Sequence, residues 1–224
     1  MNILALDTAA EVFSAALSAE NGIWYTEIDA GSRHSELLME SVDGLFKTAE
    51  LKPEVLDGVA CMKGPGSFTG LRIGFSAAKG LCLALGIPLA AVPTLDCLAY
   101  PLSMWPGIVL PALDAKKGCF FHALYRGGER LTDYMDASPE TIAGEISKNL
   151  LSPDEYVVLT GSGSALLLSS LRAYLPNIRL DSESRRGLAR ELLDFTKNGT
   201  LIWSDDLNIG PDYLRKSDAE LNWK

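Results

Sequence analysis

The chain has 224 residues, 47% of them hydrophobic and 22% charged, which is enough apolar material for one large domain or two small ones. Its formal net charge of −9 and pI near 4.8 argue against strong direct binding to nucleic acid, which needs clustered Lys and Arg to displace phosphate counterions. The N-terminal run from Met1 meets Asp7 too early for a secretory signal. The uncharged stretch between Lys79 and Asp96 is broken by Gly86, Pro88 and Pro93, short of the roughly 20 apolar residues a membrane span needs. Cys61, Cys82, Cys97 and Cys119 lack C-x-x-C spacing and sit in apolar contexts, as expected of buried, reduced thiols in a cytoplasmic protein.

Three strand-like runs open the chain, Ile3 to Asp7, Val12 to Ser18 and Ile23 to Ile28, the last two separated by the turn Asn21-Gly22. They predict an antiparallel meander. Ser35 to Leu51 carries Leu38, Val42, Leu45, Phe46 and Ala49 at helical spacing. Leu56 to Met62 reads as a strand, followed by a glycine turn, a helix to about Leu85 stopped by Gly86 and Pro88, and a strand over Pro88 to Val92. A second beginning follows near Ile108. Ala112-Leu113-Asp114 repeats Ala5-Leu6-Asp7, and at the same offset Phe13 falls on Phe120, Ala16 on Ala123 and Leu17 on Leu124. The repetition predicts two lobes that start with the same strand–turn–strand unit, over 1–105 and 106–224, with the last segment free to pack back on the first lobe. In the second, Tyr156 to Thr160 reads as a strand and about Ala165 to Tyr174 as a helix, with loops at Gly127-Gly128 and Ser152-Pro153.

Asp7 and Asp114 stand at strand ends beside tight turns, where duplicated RNase-H-like and actin-like ATPase folds place phosphate-facing acids. Such turns want glycine close behind the acid, so that backbone N–H groups can approach phosphate. Here Thr8-Ala9-Ala10 follows Asp7, and Ala115-Lys116-Lys117 precedes Gly118. Asp7, Thr8, Asp114 and Lys116 therefore read as a vestigial nucleotide cleft or as turn caps, not as an efficient ATPase.

The stretch from Lys63 to Arg72 invites several motif readings. A Walker A loop needs Lys and Ser or Thr directly after its last glycine, whereas Leu71-Arg72 follows Gly70; the spacing of Gly64, Pro65, Gly66, Ser67 and Gly70 fits neither a dinucleotide fingerprint nor a nucleophile elbow. The only histidines are His34 and His122, and no ligand cluster or catalytic triad is legible. Small residues continue at Gly74, Ala77, Ala78 and Gly80, at spacings that let another helix approach closely, although each Gly costs roughly 1 kcal/mol relative to Ala. This stretch reads as a protein-docking surface.

These residues resemble the bacterial TsaB (YeaZ) family. The likeness lies in Ile3-Leu4-Ala5-Leu6-Asp7-Thr8, His34-Ser35-Glu36-Leu37-Leu38, the block from Gly64 to Gly74, Ala78-Lys79-Gly80-Leu81, Ile87-Pro88-Leu89, Asp114-Ala115 and Pro211-Asp212-Tyr213-Leu214-Arg215. It spans the chain but is loose from Arg126 to Leu201. The resemblance implies a duplicated actin-like fold. It also implies a non-catalytic, cofactor-free role in the threonylcarbamoyladenosine (t6A) modification of tRNAs that read codons starting with A.

By the same resemblance, the partner is a TsaD-like transferase subunit, joined by a TsaE-like ATPase, and tRNA is met only through the complex. Thr94 and Leu98 stand where the metal-binding histidines of TsaD align, which implies no metal site. The implied docking face is Leu38, Val42, Leu45 and Phe46 with Gly74, Phe75, Ala78, Leu81 and Cys82, also serving a homodimer when the partner is absent. Lys116 replaces an Arg common in the family, keeping charge but losing the guanidinium fork. The alternatives are an M22-type glycoprotease, a label this superfamily has carried, and a weak actin-fold ATPase or kinase.

Overall fold

The three strand-like runs of the first thirty positions pair as a meander in a computed structural model that describes residues 1–152, 154–197 and 202–215. Of the loop expected at Ser152-Pro153, Pro153 lies outside the described residues. Strands β1 (Ile3–Asp7), β2 (Val12–Ala19) and β3 (Gly22–Asp29) are antiparallel neighbours. Helix α1 (His34–Ala49) and a 3-10 turn at Pro53–Val55 lead to β4 (Gly58–Gly64), which lies parallel to β1. Helix α2 (Phe68–Leu85) returns the chain to β5 (Leu89–Pro93), parallel to β4, completing the order β3-β2-β1-β4-β5. The inner strands β1 and β2 are buried on both faces, while β3 alternates at the edge.

Helix α2 starts where Ser67 Oγ accepts the Gly70 N–H at 3.2 Å, and stops at Gly86, whose left-handed φ of 67° glycine adopts without steric cost. Ser67→Ala should therefore cost about 1 kcal/mol in urea unfolding, with the slope unchanged. By length and composition α2 could pass for a membrane span, but one face of it packs into the core of the sheet.

Helix α3 (Thr94–Ala99) and a 3-10 turn at Tyr100–Leu102 precede the second sheet. Its strands are β6 (Ile108–Asp114), β7 (Phe120–His122), β8 (Tyr125–Arg126), β9 (Glu129–Arg130), β10 (Met135–Ala137), β11 (Val157–Thr160) and β12 (Ile178–Leu180). Helix α4 (Pro139–Asn149) precedes β11, α5 (Ser164–Leu171) follows it, and α6 (Ala189–Lys197) comes after β12. The order β10-β7-β6-β11-β12, with two antiparallel then two parallel pairings, repeats the first sheet. Each sheet is thus the mixed sheet of an RNase-H-like, actin-like lobe.

The internal repeat slips by one residue at its turn. Asp7 pairs with Ser14, whereas Asp114 pairs with Phe120, so the second turn is one residue shorter and Ala16 corresponds to His122 rather than Ala123. The long β2 is also represented by two short strands, β7 and β8, both antiparallel to β6.

Two compact units divide the chain: Met1–Cys97 with Gly187–Asp212, and Leu98–Arg186 with the described residues from Tyr213. In the first, α6 packs on β1, β2 and β4; its Ala189, Leu192 and Leu193 are buried, as is Leu188 just before it. Ser204 bridges Leu89 on the outer edge of β5, and Leu207 and Ile209 lie against the same core. The bridge occupies the outer backbone groups of β5 at Leu89. The second core gathers Ile108, Leu110, Leu124, Ile142, Ile146, Leu159, Leu167 and Leu171.

Candidate functional site

The apolar stripe of α1 does not face outward. Leu38, Val42, Leu45 and Phe46 are buried in the first core, where Phe75, Ala78 and Cys82 of α2 join them; Gly74 is buried too, and Leu81 packs partly exposed against the cluster. The side chains expected to meet a partner are thus core side chains. A helix that covers a sheet must bury its apolar stripe on that sheet, and the chain's own strands already take it.

The glycine block has a local task as well. It closes onto the turn that follows β1. A methyl group on Gly70 would overlap the Thr8 carbonyl oxygen, one on Gly74 would overlap Thr8 Oγ1, and one on Gly66 would lie 2.6 Å from the Ala9 carbonyl oxygen. Thr8 Oγ1 donates to the Gly70 carbonyl at 2.7 Å, and the Ser67 N–H donates to the Ala9 carbonyl at 2.8 Å. On the far side of the loop, a Cβ on Gly64 would sit 2.6 Å from the Asp212 carbonyl oxygen, and Lys63 pairs with the Asp212 carboxylate at 2.8 Å. Pro65 is buried within the same turn. Of the glycines within α1 and α2, Gly44 and Gly80 have open space where a Cβ would go, as does Gly144 on α4; Gly44 and Gly80 are both exposed.

What α1 and α2 present outward is a groove of about 470 Å³ between them, lined by Ser35, Met39, Phe68, Thr69, Arg72, Ile73, Ser76 and Ala77 over a floor that includes Leu38. Met39, at the rim, is 51% exposed, so the groove offers apolar surface to solvent. The Arg72 guanidinium stacks 3.8 Å over the Phe68 ring, holding a cation at the groove's end. The signal that would have found this face is the set of positions one step around each helix from its buried stripe.

Asp7 is buried, and its carboxylate accepts the Ala9 N–H at 2.9 Å and the Leu188 N–H at 2.8 Å. Burial raises its pKa to about 6; the two amides pull it down, and the charges of Glu191 and Glu27 add to the rise. Both of its oxygens are engaged by the chain itself. Asp114 differs: it is partly exposed and takes the Lys116 N–H at 2.7 Å and the Lys116 ammonium at 2.9 Å. Its partial burial raises the pKa, but the Lys116 contacts and charge outweigh it and hold the carboxyl below the usual range. Lys116 and Lys117 both take left-handed φ, 62° and 57°, followed by Gly118 at 74°. Within their own units, then, Asp7 and Thr8 form a closed turn against α2 and the head of α6, and Asp114 and Lys116 form a self-paired turn. The link from Asp7 to Leu188 spans 181 positions, and no local sequence signal announces it.

The Thr94 and Leu98 side chains are buried, and Thr94 Oγ1 meets no hydrogen-bond partner among the described residues. No group of three or more His, Cys, Asp or Glu that could hold a metal occurs among the described residues. His34 is buried at the start of α1, edge-on to Phe13, and burial lowers its pKa. His122 is buried in the second unit, 2.8 Å from the Glu145 carboxylate. Neither histidine stands beside a serine nucleophile in any hydrogen bond of the described residues.

A family model described as TsaD, tRNA N6-adenosine threonylcarbamoyltransferase, matches residues 26–151. The tRNA threonylcarbamoyladenosine biosynthesis protein TsaB of Bacillus subtilis is 29% identical over 100% of this chain and 98% of its own length. Its namesake in Escherichia coli is 34% identical over 58% of this chain and 57% of its own length. Among solved structures, a Pseudomonas aeruginosa protein described as uncharacterized with similarity to peptidase YeaZ superposes with a TM-score of 0.76 at 26% identity, covering 96% of this chain and 99% of that one. YeaZ from the same organism gives 0.73 at 25% identity, covering 95% and 99%. Two mixed sheets of the same strand order, one in each unit, define the class as the duplicated actin-like fold. Within it, and within the wider family that the TsaD model describes, the chain belongs to the TsaB (YeaZ) family.

Proposed function

We propose that this chain is a non-catalytic subunit in the t6A modification of tRNA, docking a TsaD-like transferase subunit on the groove between α1 and α2. The named relatives support the pathway. The observation that carries the docking reading is the open groove itself, with the half-exposed Met39 at its rim; the exposed Gly44 and Gly80 lie on the two helices that form it, outside its lining. Each glycine gives up roughly 1 kcal/mol of helix stability relative to Ala, and nothing within the chain takes the place of the missing methyl. A helix of a partner approaching closely would use that space.

The non-catalytic part of the reading is supported by the closed Asp7 turn, whose carboxylate oxygens accept amides of the chain itself, and by the Asp114 turn, whose carboxylate is paired with Lys116. A TsaE-like ATPase completes the assembly, and the lone chain pairs with itself through the same groove. With a net charge of −9, the chain leaves tRNA contact to its partners, and its place of work is the cytoplasm. The test is reconstitution. The purified chain alone should transfer no threonylcarbamoyl group, and should raise the transfer when mixed with TsaD, TsaE, threonylcarbamoyl-adenylate and tRNA. Absence of any stimulation would overturn the reading, as would turnover by the chain alone.

A further inference from the structure

The segment from Trp203 to Asp212 follows β4 from one end to the other. At the start of that strand the Trp203 ring fills the space a Cβ on Gly58 would take, 2.5 Å from that position. Ser204 exchanges backbone hydrogen bonds with Leu89 of β5, its N–H donating at 2.9 Å and its carbonyl accepting at 3.0 Å. Leu207 and Ile209 then pack against the first core, and the turn between is closed by Ser204 Oγ and the Asp206 carboxylate, which accept the Asp206 and Asn208 amides at 3.1 and 2.9 Å. At the end of β4 the Asp212 N–H donates to the Lys63 carbonyl at 2.8 Å, and the Asp212 carbonyl oxygen lies 2.6 Å from where a Cβ on Gly64 would be.

That last contact bears on the head of α2. The same Cβ on Gly64 would lie 3.2 Å from Leu71 Cδ1, so the Asp212 carbonyl and the first turn of α2 close on one point. Only Pro65 and Gly66 separate Gly64 from Ser67, the cap of the helix. From the β1 turn, Ala9 and Thr8 hold Ser67 and Gly70. The first turn of α2 is therefore gripped twice, once by the turn after β1 and once by a segment from the far end of the chain. Phe68, Thr69 and Arg72 of this turn line the groove, whereas Asp212 does not.

Resting on the docking reading above, we propose that Trp203–Asp212 is a positioning strap for the groove, and that Asp212 sets the first turn of α2 through its backbone. The operative group is the amide rather than the charge. The Lys63–Asp212 ion pair joins side chains that are 36% and 59% exposed, where water and salt screen it, while Gly64 beneath the Asp212 carbonyl is buried. With the amide bond gone, the loop before α2 loses one of its two holds and the helix head moves over a wider range. A partner then has to restore that order on binding, which lowers its affinity.

Two variants of the full chain separate backbone from charge: Asp212→Pro deletes the amide donor, and Asp212→Asn keeps it and deletes the charge. In Asp212→Pro, hydrogen exchange of the Leu71 amide, which donates to the Ser67 carbonyl at 2.8 Å, should quicken about 10-fold. The amides of β1 and β2, and those of Cys82 and Leu85 late in α2, should hold steady. Pairing, followed by sedimentation of the lone chain and by binding to a purified TsaD-like subunit, should weaken about 10-fold in Asp212→Pro and stay within about 2-fold in Asp212→Asn. Equal losses in the two variants, unchanged exchange at Leu71, or a change shared with β1 and β2 would overturn the proposal. Normal pairing in Asp212→Pro beside impaired pairing in Met39→Asp, at the rim of the groove, would sink the strap alone; normal pairing in both would sink the docking reading with it. The natural protein supplies a check that needs no variant to fold: protection of the Asp212 and Leu71 amides should agree within about 10-fold. A Leu71 amide that stays protected through frequent opening at Asp212 would show a helix head that needs no strap.

Discussion

Gly70→Ala should destabilise the protein by more than about 3 kcal/mol, whereas Gly80→Ala, ten positions along the same helix, should stabilise the isolated chain by about 0.5–1 kcal/mol. The opposite signs follow from what each missing methyl would meet. At Gly70 the obstacle is the Thr8 carbonyl oxygen, a backbone atom fixed by the pairing of β1 with β2 and β4. Relief would require α2 to move off the turn and give up the Thr8 hydroxyl bond to the Gly70 carbonyl, while Leu71 and Phe75 left the core. At Gly80 nothing lies within 4 Å, and alanine simply has the better helix propensity. Urea unfolding of both variants would check this, with the midpoint moving down for one and up for the other at unchanged slope. Equal shifts of the same sign would contradict the assignment of Gly70 to the β1 turn.

Met39→Asp should leave the fold intact and weaken pairing at the groove by 100-fold or more, about 3 kcal/mol. Its side chain is half exposed, so the new carboxylate stays hydrated in the lone chain, but it would be desolvated against an apolar partner surface. Ile73→Asp, on the facing helix, should act in the same direction. Val42→Asp is the instructive contrast. That side chain is 3% exposed in the first core, so a carboxylate there should unfold the protein rather than report on docking. Sedimentation of the lone chain and co-purification with a TsaD-like subunit would measure pairing, and circular dichroism would confirm the fold. Undiminished pairing in both surface variants would place the partner elsewhere. Gly80→Ala joins the two predictions, since it should raise monomer stability while lowering partner affinity.

Much of the architecture was legible because it is written locally. The alternation of β3, the helical spacing of Leu38, Val42, Leu45 and Phe46, and the Gly86–Pro88 stop of α2 each depend on neighbours a few positions apart. The duplication was legible for the same reason, as two copies of an apolar strand ending in Asp. Helix α6 is not legible locally, because Ala189, Leu192 and Leu193 mark its buried side in a short segment interrupted by Arg190, Glu191 and Asp194. The one-residue slip between the two β-turns also escaped, since a gapless slide rewards chance matches such as Phe13 with Phe120.

The glycine stretch shows where local reading stops. Spacing alone established that it holds no phosphate motif and that α2 must approach something closely. Which something is a tertiary matter, because a missing Cβ records only that space is needed. The structure assigns Gly66, Gly70 and Gly74 to the chain's own turn at Thr8 and Ala9, and leaves Gly44 and Gly80 facing outward. In the same way, an acid at the end of β1 follows from the sequence, while its occupation by the Leu188 amide depends on a contact across 181 positions. Periodicity within a segment determines which face of an element is apolar. Only the packed chain decides which of those faces, and which of those glycines, remain for a partner.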